Sequence, residues 1–415
     1  MSPIQTPFKL CVFSLWFVAL SVGCSGAGGA LPLSDSSEGE DVMDIEVDEK
    51  PPKQTSPDSD NTSTIFLPEE LYNYALIDTP SHFNYESERF HQQQPLSTAD
   101  NTPANNPVTN EGATLGRVLF YDKNLSANRT VACASCHRPE LGFSDNRVLS
   151  VGFDGGLTGR HSMGLTNARY YEAGQFFWDQ RASTLEEQVL MPFQDQVEMG
   201  MTLETLVARV EGGPYYSPLF EAAFGDSSVS ADRISKALAQ FIRSIVSTKS
   251  RYDVGRAQVS ARSEDFPNFT AEENLGKFLF STPPGRGGFA CFTCHQGEGM
   301  IPVEATTNGL DAEITDRGYG AVTGLATDEG TFKAPSLRNV ELTAPYMHDG
   351  RFATLEDVIE HYSNGVQPAQ NLNGPLAAFE FNMTSAEKSA LVAFLKTLTD
   401  RELVEDPKFS DPFVD

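Results

Sequence analysis

Two pentapeptides constrain this chain more than any other feature: Cys133-Ala134-Ser135-Cys136-His137 and Cys291-Phe292-Thr293-Cys294-His295. Two thiols at this spacing, with histidine directly after, form the attachment pattern of a c-type haem. The thiols add to the haem vinyl groups, and the histidine turns back to give the iron an axial nitrogen. A redox-active thiol pair does not require a histidine next door, and here the histidine recurs. A structural zinc site needs four ligands in one place, and these pairs stand far apart in the chain. Two covalent haem c groups are therefore expected. Cys133, Cys136, Cys291 and Cys294 attach them, and His137 and His295 ligate the iron.

The start of the chain points to export. Lys9 is the only charge before the apolar run Leu10–Gly23. That run is shorter than the roughly 20 residues that span a bilayer and suits a signal-peptide core. It closes with Leu20-Ser21-Val22-Gly23-Cys24. Small residues before a cysteine read as a lipoprotein-type signal peptide over 1–23 with Cys24 lipidated; plain cleavage is the alternative. Of the six cysteines, Cys11 and Cys24 lie in this region and the other four are the haem pairs. Residues 24–66 read as a disordered acidic linker, because Asp35–Asp60 holds ten acidic residues against two lysines. The whole chain has a net charge of −27. That excludes nucleic acid, which needs clustered positive charge. It leaves a lipid anchor as the only expected membrane contact.

A weak internal repeat supports two haem units. Leu115-Gly116-Arg117-Val118-Leu119-Phe120 precedes the first pentad, and Leu275-Gly276-Lys277-Phe278-Leu279-Phe280 precedes the second. Capping-box patterns stand at Ser183/Glu186, Thr270/Glu273 and Thr384/Glu387. Ile234, Leu238, Phe241, Ile242 and Ile245 make one helical stripe, and Leu391, Phe394 and Leu395 another. Gly- and Pro-rich stretches such as Thr282–Gly288 and Gly365–Pro375 read as loops. No extended period-2 pattern announces a sheet core. The expected fold is mainly α, with two cytochrome c-like haem domains and long loops, over residues 67–255 and 256–415.

With both pentads in place, the chain resembles the bacterial di-haem cytochrome c peroxidase/MauG family over roughly Asn105 to Phe413. Phe177-Trp178-Asp179-Gln180-Arg181, Glu198-Met199-Gly200, Pro335-Ser336-Leu337-Arg338-Asn339 and Thr343 through Gly350 carry the likeness. It implies a peroxide-reacting N-terminal haem on His137 and an electron-relay C-terminal haem on His295. It implies Glu198 as the distal acid, with Gln188 and Pro192 in the same pocket, and Trp178 as a relay between the haems. Family members that need reductive activation carry a displaceable histidine after the first pentad. Val151–Arg160 holds none, which implies a first haem open to peroxide at once. Counting fourteen residues from His348 reaches Tyr362, where activated peroxidases carry methionine and MauG-type enzymes tyrosine. His361, Met347 and Met383 are the alternative ligands. The family also holds one calcium ion with an Asn side chain and Thr and Pro carbonyls. Thr343 and Pro345 match, but His161 stands in place of the Asn.

The function this resemblance implies is peroxide-driven formation of a high-valent di-haem state that oxidises a partner protein. The segment Arg160–Tyr171 and the closing pattern Leu395–Phe413 resemble the MbnH-type subgroup, which oxidises a tryptophan of a companion protein. The alternative is a detoxifying cytochrome c peroxidase drawing electrons from a small cytochrome or cupredoxin. A third reading, a pure electron-transfer cytochrome, would have no use for Glu198. The expected place is the periplasm of a diderm bacterium.

Overall fold

Both hexads sit in helices that make the same unusually close crossing. The computed structural model describes residues 64–84, 95–301, 304–369, 371–372 and 374–414. The signal peptide and all of the acidic linker before residue 64 lie outside them. Five helices carry the frame: α1 (Asn110–Tyr121), α2 (Ala231–Arg243), α3 (Ala271–Ser281), α4 (Leu355–Glu360) and α5 (Ser385–Lys396). α1 crosses α2 at Gly116, where a Cβ would stand 2.0 Å from the Ala237 carbonyl oxygen. α3 crosses α5 at Gly276, where a Cβ would stand 1.8 Å from the Ala390 oxygen. Only glycine allows either approach. The repeat is thus a repeat of packing, and its basic residue is shared too. Arg117 is buried and donates to the Ser410 carbonyl at 2.7 Å, while buried Lys277 donates to the Glu264 carbonyl at 2.6 Å. Leu275 breaks the symmetry, being 42% exposed.

Two apolar clusters follow from these crossings. The first gathers Phe120, Phe193, Phe220, Phe241 and Phe409, and the second Tyr252, Phe266, Phe280, Leu391 and Phe394. Each fully buried ring contributes about 1.5–3 kcal/mol relative to exposure. The stripe Ile234, Leu238, Phe241 and Ile242 is the buried face of α2. Leu403 and Phe409, late in the sequence, pack into the first cluster. Beside them β1 (Thr64–Ile65) pairs antiparallel with β2 (Phe413–Val414), Thr64 opposite Val414. Only this two-stranded sheet forms among the described residues. None of their helices is long and apolar enough to cross a membrane.

The caps at Thr270/Glu273 and Thr384/Glu387 form as capping boxes. The third is shifted by one residue. Thr184 accepts from the Glu187 amide, and the Glu187 carboxylate accepts from the Ser183 amide. Gly276→Val tests the second crossing. It is expected to destabilise the holoprotein by about 1–3 kcal/mol or more, as overpacking does. An unchanged denaturant midpoint would refute the close approach.

Candidate functional site

The first thiol pair is presented by one helical turn, Cys133–Cys136, with His137 as its C-terminal cap. The His137 amide donates to the Cys133 carbonyl at 2.9 Å, which turns the ring back beside the thiols. Nδ1 lies 3.0 Å from the Phe143 carbonyl oxygen, which can only accept. The tautomer assigned from that bond keeps the proton on Nδ1 and the lone pair on Nε2, the state of a metal-ligating histidine. Burial pulls the ring's pKa down and keeps it neutral. Burial also pushes the free Cys133 thiol up to about 12 and the free Cys136 thiol to about 11.

The charge of Glu198 helps to raise both thiols of this pair. Burial, with help from Asp195 and against Arg181, lifts its carboxyl to about 7. The local backbone is held firmly. Asp195 Oδ1 accepts from the amides of Val197 and Glu198 at 2.8 and 3.0 Å, and the Glu198 carbonyl accepts from Phe153 at 3.0 Å. Gly152 makes that approach possible, since a Cβ there would stand 1.7 Å from the Val197 oxygen. Gln188 ends the short helix Leu185–Gln188, and Pro192 stands in the first turn of the next, Met191–Gln194. Both are half-buried.

The second thiol pair opens on a cavity of about 1550 Å³, counted to its open mouth. Cys291, Cys294, His295 and Tyr362 line it together with apolar side chains such as Phe280 and Leu391. A flat apolar macrocycle tied to two thiols suits this lining. His295 Nδ1 is buried without a well-formed hydrogen bond, the Met300 carbonyl being the polar group that acts on the ring. Burial draws that ring down to about 4. Tyr362 sits in a π-helical turn, His361–Gly365, that continues α4. Such turns recur at functional sites. Burial pushes its phenol up to about 12, eased by Asn308. Its neighbour points elsewhere: His361 Nε2 meets the Asn308 carbonyl at 3.0 Å and is not part of the cavity wall. Met347 and Met383 do line it.

Trp178 reaches the same cavity from the first half of the chain. Its Nε1 donates to the His161 carbonyl at 2.7 Å, and its ring meets His348 edge-on at 6.4 Å. The His348 ring in turn stacks on Phe332 at 3.8 Å. Three groups were not legible in the sequence. Lys333 is fully enclosed, donates to the Gln175 carbonyl at 2.8 Å, lies 3.4 Å from the Tyr171 ring centre and hydrogen-bonds Trp178 through its backbone. Arg160 clamps Asp179 and Asp316 at 2.7 and 2.8 Å, bracketing the Trp178 segment. Asn308 touches both Met347 and Tyr362. No pattern marks an isolated Lys, Arg or Asn in advance.

Thr343 and Pro345 also line the cavity. The donor set around them is not that of a calcium site, because calcium takes six to eight oxygens and the imidazole of His161 occupies the position. Among the described residues no group of three or more His, Cys, Asp or Glu could hold a metal ion.

Comparison with known proteins agrees with this arrangement. The family model described as di-haem cytochrome c peroxidase matches residues 110–258. The methylamine utilization protein MauG of Methylophilus methylotrophus is 34% identical over 296 residues, 71% of this chain and 84% of that protein. The cytochrome c551 peroxidase of Nitrosomonas europaea is 34% identical over 313 residues, 74% and 84%. A solved MauG-like protein associated with microbial copper homeostasis superposes with a TM-score of 0.67 at 32% identity, covering 79% of this chain and 99% of that one. The di-haem peroxidase BthA of Burkholderia thailandensis shares the fold, with a TM-score of 0.59 at 23% identity over 72% of this chain and 89% of that one. The chain belongs to the di-haem cytochrome c peroxidase family, and it is an oxidoreductase whose mainly helical fold holds two c-type haems.

Proposed function

We propose that this protein is a MauG-like enzyme of the periplasm that uses hydrogen peroxide to oxidise residues of a partner protein. One observation carries the reading: Tyr362, rather than His361, faces the second haem cavity alongside Cys291, Cys294 and His295. Bound in the two sites, the haems supply the redox chemistry, reducing peroxide to water and holding two oxidising equivalents until a reductant takes them.

The chain's own residues supply the rest. His137 and His295 would hold the two irons, and the Phe143 carbonyl leaves the Nε2 lone pair of His137 free for one of them. Glu198, as the carboxylate, takes a proton from peroxide and returns it to the departing oxygen. Gln188 and Pro192 shape the same pocket. Trp178, pinned by the His161 carbonyl, joins the halves. Tyr362 would ligate the second iron as the phenolate, giving up its proton on binding, and so supply an anionic oxygen there. The lipoprotein-type leader supports export.

The second reading is a detoxifying peroxidase fed by a small cytochrome or cupredoxin. Met347 and Met383 favour it, because each brings a thioether to the same cavity. The test adds peroxide to the diferric holoprotein with a co-purified candidate partner. Mass spectrometry is expected to show oxidised residues on the partner. Rapid turnover of a reduced small cytochrome, with the partner unmodified, would overturn the proposal.

A further inference from the structure

His161 gathers contacts from three separate stretches of chain, and no redox step uses it. The residue is 5% exposed. Its amide donates to the His348 carbonyl at 2.8 Å, and its own carbonyl accepts from Trp178 Nε1. Its ring Nδ1 lies 2.9 Å from the Arg147 carbonyl oxygen, a contact in which only the nitrogen can donate. Nε2 lies 3.2 Å from Ser144 Oγ, whose hydroxyl donates to the Ser162 carbonyl at 2.6 Å. The backbones of Val148 and Thr343 act on the same ring, raising its pKa against the burial that lowers it. The imidazole is held by the loop at 144–148, while the main chain of His161 joins the segment 343–348 and Trp178.

A bound cation and a ring N–H compete for the same carbonyl lone pairs. A hard cation collects oxygens from both sides. An imidazole N–H occupies one such oxygen, and the ring's bulk fills the space between them. We propose that His161 is the positioning residue of the bridge between the haems. It cross-links the two halves in place of a calcium ion and fixes Trp178 without a metal. The consequence for Trp178 rests on the proposed function; the independence from calcium does not.

The test uses the holoprotein purified with calcium present, then treated with a chelator. Calcium content is measured by mass spectrometry, and both haem spectra are recorded, with the near-infrared region after peroxide. Wild type is expected to hold substoichiometric calcium and to keep its spectra through chelation. His161→Asn should restore the oxygen set, so that it gains about one calcium per chain and becomes chelator-sensitive. His161→Ala should lose the near-infrared feature, and added calcium should not restore it. Stoichiometric calcium in wild type, with spectral change on chelation, would overturn the proposal. So would a His161→Ala variant with unaltered spectra. If wild type shows no near-infrared feature at all, the protein-oxidising reading fails, while calcium content still decides this one.

Discussion

Replacing Glu198 by glutamine is expected to slow cleavage of hydrogen peroxide by about 10²–10⁴-fold, the range a positioned proton-transfer group contributes. The substitution keeps the side chain's shape and removes only its basicity, so both haem spectra should stay as they were. The pH profile gives a second check. Burial lifts Glu198 to about 7. A raised carboxyl is ionised above that value and protonated below it. Wild-type peroxide cleavage should therefore fall as pH drops through about 7, well above the range of an exposed glutamate. The glutamine variant should show no such inflection. Stopped-flow mixing with peroxide measures both effects. A variant as fast as wild type would remove Glu198 from the chemistry.

Tyr362→Met should have the second largest effect. A phenolate carries negative charge to the metal it ligates and stabilises high oxidation states, whereas a thioether favours the reduced metal. With methionine, the second site should become easily reducible, its potential rising on the order of 100 mV or more, within the wide range that axial ligands set. Wild type is expected to show a long-lived near-infrared feature after stoichiometric peroxide, and the variant to lose it. The variant should gain turnover with a reduced small cytochrome. If His361→Ala disturbs the second haem and Tyr362→Met does not, the neighbouring residue is the ligand. The contact of His361 with the Asn308 carbonyl argues for the opposite outcome.

The parts of the molecule readable in advance share one property: short range. A pentad holds both thiols and the ligand within five residues, and a hexad carries its crossing glycine and its core residues on one helix face. The boxes at Thr270 and Thr384 are equally local. At Ser183 the same pattern misled by one position, because Thr184 offers an equivalent hydroxyl and the Glu187 carboxylate reaches back to the Ser183 amide. The surroundings of Trp178 were illegible for the opposite reason. Lys333, Arg160 and Asn308 arrive there through loops, and their partners, the Gln175 carbonyl, the Asp179 and Asp316 carboxylates, and Met347 with Tyr362, stand far from them in sequence. A carbonyl oxygen looks alike at every residue, so no side-chain pattern announces such a contact. His161 was visible as a departure from a family pattern, but its partners were not.

The late segment that packs Phe409 against Phe143 and Phe241, and ties Arg117 to Ser410, has a consequence for biogenesis. Synthesis is vectorial, so Cys133 and Cys136 emerge long before Phe409 does. The apolar cluster against which Cys133 packs is finished by residues translated after Cys291–His295. During that interval the first half lacks part of its own apolar interior. The second half, whose cluster closes with α5, can settle before the segment 403–414 returns to seal the first. The first thiol pair thus stands against a cluster whose residues are not all contained in its own half of the sequence.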